Sequence, residues 1–434
     1  MTGSSSTPDE IRIPAGRQAR GRLRVPASKS LTNRYLNLAL LGRAPLVLEH
    51  PLRSEDTHLF LEALGRCGFR VEEEGEKVRL EPGTPPSAEV EIFCGASGTM
   101  LRFLVATLAA LPGRWHLDGV PRLRERPVRP LVDALRRLGA RIDYLAAEGF
   151  VPLRIEGGTL GAGTTVLDAS ESSQYLSALL MAALRAPGEV TVEVEALTSQ
   201  PYVDVTLDVV EAFGGRIEAL GPRAWRVIPS SLAAGYVEVE GDWSAAAYPA
   251  AAAALTGGEV TLTGLLRDSR QGDRGFADLL RGMGADVTWD GGAMTVRGRD
   301  LRGIEADLSA MPDQVPTLAA LAPFARGATR IFNVSHLRIK ESDRLEAMAT
   351  ELRKLGASVD EGPDWLRFPG NWTSLPETDV RIDPRGDHRI AMSCALVGLR
   401  RPGVVITTPG VVAKSYPEFW RDFAMLTSGS SSLD

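Results

Sequence analysis

The stretch "VDALRRLGARIDYL" (residues 132–145) decides the fold. With the preceding Leu131, its apolar residues Leu135 and Leu138 fall at i, i+4 and i+7, one stripe of a helix whose other face is charged. Gly139 stands where a helix C-cap requires a left-handed residue. The alternation that follows, from Ala140 to Tyr144, reads as a half-buried strand. The same phrase occurs as "LEALGRCGFRVEEE" (61–74), "LDVVEAFGGRIEAL" (207–220), "ADLLRGMGADVTW" (277–289) and "ATELRKLGASVDE" (349–361). Its glycines, Gly68, Gly139, Gly214, Gly284 and Gly356, recur at intervals of 71, 75, 70 and 72 residues.

A second phrase interleaves with the first: an apolar helix, a glycine, a strand and a polar loop. It carries Gly42, Gly113, Gly188, Gly258, Gly327 and Gly403. Two series holding one period predict six units of about 72 residues. Each unit reads strand, apolar helix, strand, polar loop, amphipathic helix, strand. Helices such as "QYLSALLMAALRAPG" (174–188) and "SAAAYPAAAAALTGG" (244–258) are apolar nearly all round and belong in a core. The sixth unit ends after "FWRDFAMLTSG" (419–429) without its closing strand, which "EIRIPA" (10–15) is placed to supply. Both chain ends then share one domain and the middle of the chain forms another.

The 434 residues are 44% apolar and 24% charged, enough for two to three domains with real cores. A net charge of −6 argues against a general nucleic-acid binder. Apolar runs stay short of a membrane span. The polar start "MTGSSSTPDE" does not resemble a signal peptide, and the Ser/Gly-rich ends read as frayed tails. Cys67, Cys94 and Cys394 are too far apart and too few for a disulfide framework, which suggests a reducing, cytoplasmic setting. His50, His58, His116, His336 and His388 form no metal-ligand spacing. "GGTLGAG" and "GASGTM" lack the context of a nucleotide loop. No metal and no organic cofactor is signalled.

Polar residues gather ahead of the helices. Before the apolar helices stand "PASKSLTNR", "CGASGTMLR", "DASESSQY", "EGDWSAAAY", "MPDQVPT" and "RGDHRIAM". Before the amphipathic ones stand "LRSEDT", "RLRERP", "TSQPYVDV", "RDSRQGD", "RIKESDR" and "AKSYPEF". Ser30, Ser172, Asp242 and Asp343 suit helix N-caps, as does Asp313 after Pro312. Cations do not suit these places, since they oppose the macrodipole. Yet Lys29, Arg34, Arg102, Arg126, Lys340, Arg344, Arg389 and Lys414 all sit at or near such starts. Helix N-termini combined with cations make sites for phosphates and carboxylates. Two such ends facing each other would form a positive cleft for a small ligand with several anionic groups.

"PASKSLTNR" (26–34), "ERPVRPLVDAL" (125–135), "SSQY" (172–175), "SQPYVDVT" (199–206), "MPDQVPT" (311–317), "RIKESDRL" (338–345), "DHRIAM" (387–392) and "AKSYPEF" (413–419) occur in order and at matching places in the repeat. With them the chain, from about residue 10 to 425, resembles the 3-phosphoshikimate 1-carboxyvinyltransferase (EPSP synthase) family. The resemblance implies a two-domain inside-out α/β barrel of six βαβαββ-type repeats, three per domain. The expected domains are 1–22 with 241–434, and 23–240, with the active site in the cleft between them. It implies transfer of the enolpyruvyl group of phosphoenolpyruvate to the 5-hydroxyl of shikimate 3-phosphate, with release of phosphate, the sixth step of the shikimate pathway. It also implies a cytoplasmic monomer that acts on these two small substrates without metal, cofactor, nucleic acid or membrane.

Carried over by motif, Ser30, Arg34, Ser172, Ser173, Gln174, Ser199, Tyr202, Asp313, His336 and Lys340 would bind shikimate 3-phosphate. Lys29, Gly98, Arg126, Gln174, Arg344, Arg389 and Lys414 would bind phosphoenolpyruvate. Asp313 would take the proton of the hydroxyl, and Glu341 and Lys29 would handle the methylene proton. Two places depart from the family's usual pattern. The loop Ala96-Ser97-Gly98-Thr99-Met100-Leu101-Arg102-Phe103 replaces Asn-Ala-Gly-Thr-Ala-Met-Arg-Pro. His336 stands where Asn is frequent and introduces a group expected to titrate near neutrality. UDP-N-acetylglucosamine enolpyruvyl transferases share the architecture, but Ser30 after Lys29 and Cys94 in a strand depart from their usual Lys-Asn and loop cysteine. RNA 3′-phosphate cyclases share a related repeat and are disfavoured by the acidic charge. A binding-only relative would have no need of Lys29, Asp313 and Glu341 together.

Overall fold

The computed structural model describes residues 8–373 and 377–428. The Ser/Gly-rich ends 1–7 and 429–434 lie outside the described residues. The chain divides into two compact units, one holding the residues through Pro26 and those from Gly241 onward, the other Ala27–Glu240. Each has its own continuous apolar core.

The unit Ala27–Glu240 contains three four-stranded sheets. In one, Glu89–Phe93 runs parallel to Gly113–Asp118, which pairs antiparallel with Leu153–Gly157, itself antiparallel to Arg141–Tyr144. The second repeats this order with Gly163–Ala169, Val190–Leu197, Ala224–Ile228 and Arg216–Gly221. The third repeats it with Gly235–Glu238, Leu46–Glu49, Lys77–Pro82 and Phe69–Glu74. The strands carry the expected alternation: Leu153 and Ile155 are buried, whereas Arg154 and Glu156 are exposed.

The other unit contains the same sheet twice more. Arg20–Arg24, Glu259–Thr263, Ala293–Arg297 and Asp286–Asp290 form one, and Glu305–Asp307, Thr329–Phe332, Leu366–Phe368 and Asp360–Glu361 form the next. A last, three-stranded sheet joins Val380–Ile382 parallel to Val404–Thr407. Its third strand is Glu10–Arg12, antiparallel to Val404–Thr407, so the start of the chain completes the sheet near its end.

In each unit the apolar helices pack together at the centre. Lys29–Gly42 and Ser173–Ala183 both lie against Gly98–Ala110. Trp243–Thr256, Val315–Leu321 and His388–Gly398 lie against one another. Ala250 to Ala254 are all buried, and such small side chains let helix backbones approach closely. The amphipathic helices bury one stripe only. In Arg129–Arg137 these are Leu131, Val132, Ala134 and Leu135, each side chain of Leu or Val contributing roughly 1.5–3 kcal/mol on burial.

The five glycines of the first phrase all have left-handed backbone, Gly139 at φ +89° and Gly284 at φ +103° among them. A non-glycine residue would be strained at each, which is why the period is marked by glycine. The caps differ from expectation at two places. Ser28, not Ser30, caps the helix Lys29–Gly42, with its hydroxyl accepting from Leu31 N; Ser30 lies inside the first turn. Asp313 sits within the short 3-10 turn Pro312–Gln314, whose N-cap position is taken by Met311. Ser172, Asp242 and Asp343 do cap their helices.

Candidate active site

Within the unit that carries the chain ends, one ion-pair network joins four separate segments. Asp313 accepts from two arginines at once: Arg344 Nη1 at 2.8 Å on one oxygen and Arg389 Nη2 at 2.7 Å on the other. Arg344 also donates from Nη2 to Glu341 at 2.8 Å and from Nε to Asp387 at 2.8 Å. Glu341 in turn holds Lys414 Nζ at 3.3 Å. Arg344 is 2% exposed, so these carboxylates replace its hydration, as a buried charge requires.

Local sequence places each member. Arg344 is the first residue of the helix Arg344–Lys354, capped by Asp343, which accepts from Glu346 N at 3.0 Å and also from Arg338 Nη1 at 2.8 Å. Arg389 follows the cap Asp387, whose carboxylate accepts Arg389 N at 2.9 Å while holding Arg344. One buried aspartate thereby ties two cation-bearing helix starts together. Tyr248 OH accepts from Arg389 Nη1 at 3.4 Å.

The charges set the protonation states. Burial alone would raise Asp313, but Arg389 and Arg344 outweigh it and hold the carboxyl well below the usual range. Arg344 loses to burial but gains more from Asp387, Glu341 and Asp313, and stays charged. His336 is buried, and burial together with the nearby Lys340 pushes it down to about 4. The imidazole is therefore neutral at physiological pH, contrary to the titration near neutrality expected of a histidine at this position.

The unit Ala27–Glu240 gathers the other candidates. Arg34, buried in the helix Lys29–Gly42, donates from Nε to Thr206 Oγ1 at 2.8 Å, from Nη1 to Ser30 O at 2.9 Å and from Nη2 to Tyr202 O at 2.8 Å. Its guanidinium carbon stands 5.4 Å from the ring centre of Phe103. Burial pulls this guanidinium down to about 10, still fully charged at neutral pH. Arg34 thus pins Ser30 to Tyr202 and to the turn of Ser199, whose carbonyl accepts Tyr202 N at 3.2 Å. Lys29 Nζ donates to the buried Asp56 at 3.3 Å.

Gly98 opens the helix Gly98–Ala110 and lies flat against Arg126: a Cβ there would stand 2.6 Å from the guanidinium carbon. Arg126 Nη1 reaches Ala96 O at 3.5 Å. Gln174, at the start of the helix Ser173–Ala183, donates to Thr99 Oγ1 at 2.8 Å and accepts from Arg102 Nη1 at 2.6 Å. Ser172 caps that helix by accepting Gln174 N at 3.3 Å. Ser173 is buried beside it in the first turn.

Sequence reasoning did not assign site roles to Asp387, Asp56, Tyr248 or Thr206, and named Arg102 only among the cations at helix starts. Asp387 had a visible signal, an Asp directly before an apolar helix. The pairing of Asp56 with Lys29, across a loop and a strand, had none. Among the described residues no group of three or more His, Cys, Asp or Glu side chains is placed to hold a metal ion. No described helix is long and apolar enough to cross a membrane.

Comparison with known proteins bears on this geometry. A family model described as EPSP synthase (3-phosphoshikimate 1-carboxyvinyltransferase) matches residues 13–423. A 3-phosphoshikimate 1-carboxyvinyltransferase of Syntrophobacter fumaroxidans is 46% identical over 416 residues, covering 94% of this chain and 97% of that protein. One of Ralstonia pickettii is 42% identical, with 94% and 98% covered. A solved EPSP synthase structure from Acinetobacter baumannii superposes with a TM-score of 0.81 at 27% identity, covering 96% of this chain and 98% of that one. The enolpyruvyl transferase NikO from Streptomyces tendae, at 21% identity and a TM-score of 0.76, shares the mixed α/β fold. The chain therefore belongs to the EPSP synthase family.

Proposed function

We propose that the chain transfers the enolpyruvyl group of phosphoenolpyruvate to the 5-hydroxyl of shikimate 3-phosphate, giving 5-enolpyruvylshikimate 3-phosphate and phosphate. The observation that carries this reading is the carboxylate of Asp313 clasped by Arg344 and Arg389, beside Glu341 clasped by Arg344 and Lys414. An anion site alone needs only the cations. A carboxylate held ionised among them, as Asp313 is, suits a reaction that moves protons while an anion departs.

In this reading the six sheets are repeats, three per domain, of an inside-out α/β barrel. The recurring strand order supports it. Shikimate 3-phosphate lies against Ser30, Arg34, Ser172, Ser173, Gln174, Ser199 and Tyr202, with Asp313, His336 and Lys340 completing its site. His336 serves as a neutral imidazole. Phosphoenolpyruvate lies among Lys29, Gly98, Arg126, Gln174, Arg344, Arg389 and Lys414.

The chemistry is addition followed by elimination through a tetrahedral intermediate. Asp313 accepts the hydroxyl proton as the oxygen attacks. Glu341 and Lys29 deliver a proton to the methylene carbon and remove one when the double bond re-forms. Arg126, Arg344, Arg389 and Lys414 stabilise the departing phosphate. Asp313 is a weak base while both arginines hold it. An anionic substrate that draws Arg344 and Arg389 to itself releases Asp313 and raises its basicity, so the base is armed by binding. The enzyme works as a monomer in a reducing, cytoplasmic setting, which the three buried, unpaired thiols suit.

The test is phosphate release from phosphoenolpyruvate with shikimate 3-phosphate or with UDP-N-acetylglucosamine as acceptor. Release with the first and none with the second supports the reading; the reverse overturns it.

A further inference from the structure

Asp273 is a carboxylate that no motif assigns. It lies in the turn Gly272–Gly275 and is 2% exposed. Its Oδ1 accepts from Gln314 Nε2 at 2.8 Å. Gln314 directly follows Asp313 and is fully buried. A second contact joins the same two turns: Met311 packs on Gly275, where a Cβ would stand 2.7 Å from its Cε. The turn that carries Asp313 is thus gripped at both ends, by Gly275 at Met311 and by Asp273 at Gln314.

The gripping turn is itself anchored. Gln271 Nε2 donates to Gly241 O at 2.9 Å, Gln271 Oε1 accepts Trp243 N at 3.2 Å, and Ser269 Oγ accepts Gln271 N at 3.1 Å. Burying a carboxylate is costly, and here the cost shows. Burial and then the like charge of Asp313 push Asp273 up to about 6, against the pull of Arg389 and the Gln314 bond, with Asp242 adding to the rise. A neutral side chain would be cheaper at this place if it only filled space.

We propose that Asp273 is a positioning residue for Asp313, fixing the Pro312–Gln314 turn through Gln314 so that the Asp313 carboxylate meets the reacting hydroxyl and both arginines. The inference rests on the reading of Asp313 as the base. Loosening the turn leaves substrate binding to the other residues of the site but misplaces the proton acceptor, and small displacements of a reacting group are costly in rate.

The test is steady-state kinetics on Asp273→Ala, Gln314→Ala, the double variant and Asp273→Asn, after phosphate release by the wild-type protein has been measured. Each single alanine variant is expected to lower kcat about tenfold per folded molecule, with KM for both substrates changed less than about twofold. The double variant is expected to be no worse than the poorer single one, because both break the same bond. Asp273→Asn keeps a side-chain oxygen for Gln314 and is expected to recover most of the lost kcat. Unchanged kcat in the single variants, losses that multiply in the double, or an Asn variant as poor as the alanine one would each overturn the inference while leaving the function intact. An inactive wild type would remove the function and the inference with it. Should Asp273→Ala not fold, Gln314→Ala decides alone: a normal kcat there overturns the proposal.

Discussion

Arg344 Nη1 meets Asp313 Oδ1 at 2.8 Å, and the arginine making this bond is almost wholly buried. Asp313 keeps 25% of its side chain exposed, and in the proposed function that face meets the substrate hydroxyl. Replacing Asp313 with alanine removes the proposed base and the anion shared by Arg344 and Arg389. Turnover should fall by about 10²-fold or more while the protein remains folded on its other contacts. A loss below tenfold in purified, folded Asp313→Ala would remove Asp313 from the base role.

The same pair predicts a pH signature. In the free protein the two arginines hold Asp313 below the usual carboxylate range, so it stays ionised to low pH. When substrate anions occupy those arginines, the carboxyl rises. The acid limb of kcat/KM reports the free enzyme and that of kcat the bound complex. The acid limb of kcat should therefore lie at higher pH than that of kcat/KM. Coincident limbs would show that binding does not relieve Asp313.

Gly98 and Arg126 give a second handle on the proposed donor site. A Cβ at position 98 would stand 2.6 Å from the Arg126 guanidinium carbon, closer than real Cβ contacts come. The arginine must move, since Gly98 is held in the first turn of its helix. Gly98→Ala should raise KM for phosphoenolpyruvate roughly tenfold or more, the worth of one charged contact, and leave KM for shikimate 3-phosphate within a few-fold. Equal effects on both substrates would place Arg126 elsewhere.

Arg34 shows what could and could not be read in advance. Its place, one turn into the helix after Lys-Ser, was visible in the repeat, as were the other cation-bearing helix starts. The ends of the amphipathic helices were readable because Gly139 and its equivalents hold a left-handed backbone once per period, and the starts followed from that period. What Arg34 does with its donors was not readable: it clamps backbone carbonyls and Thr206, and Thr206 lies 172 residues away. The network of Asp387, Arg344 and Arg389 was hidden for the same reason, since it joins side chains from distant turns of the repeat. His336 shows the other limit. Its identity suggested a group titrating near neutrality, but burial beside Lys340 decides otherwise, and burial is not written in a motif.

Arg34 also carries a stability prediction. Three donors point in three directions to Thr206 Oγ1, Ser30 O and Tyr202 O, a geometry that an ammonium cannot reproduce. Arg34→Lys keeps the charge but cannot make all three bonds; Thr206 Oγ1 and Tyr202 O still have each other at 2.9 Å, so the loss is that of the charged hydrogen bonds themselves, about 1.5–3 kcal/mol each. The variant should melt several degrees lower and bind shikimate 3-phosphate more weakly. A lysine variant with wild-type melting and affinity would mean that the clamp contributes nothing beyond its charge.

His336 supplies the last prediction, and its sign follows from the folded-state shift. The imidazole takes up a proton near pH 6.5 when unfolded but only near 4 when folded. Below the unfolded value the unfolded chain binds more protons than the native protein, so falling pH favours unfolding. The contribution is therefore intact above about pH 6.5 and is lost progressively down to about pH 4, reaching on the order of 3 kcal/mol. His336→Asn has no such proton to bind. Denaturant melts of the two proteins between pH 7.5 and 4 should diverge, with the asparagine variant gaining relative stability as the pH falls. Parallel stability curves across that range would mean that His336 titrates alike in both states, and that the burial beside Lys340 does not govern it.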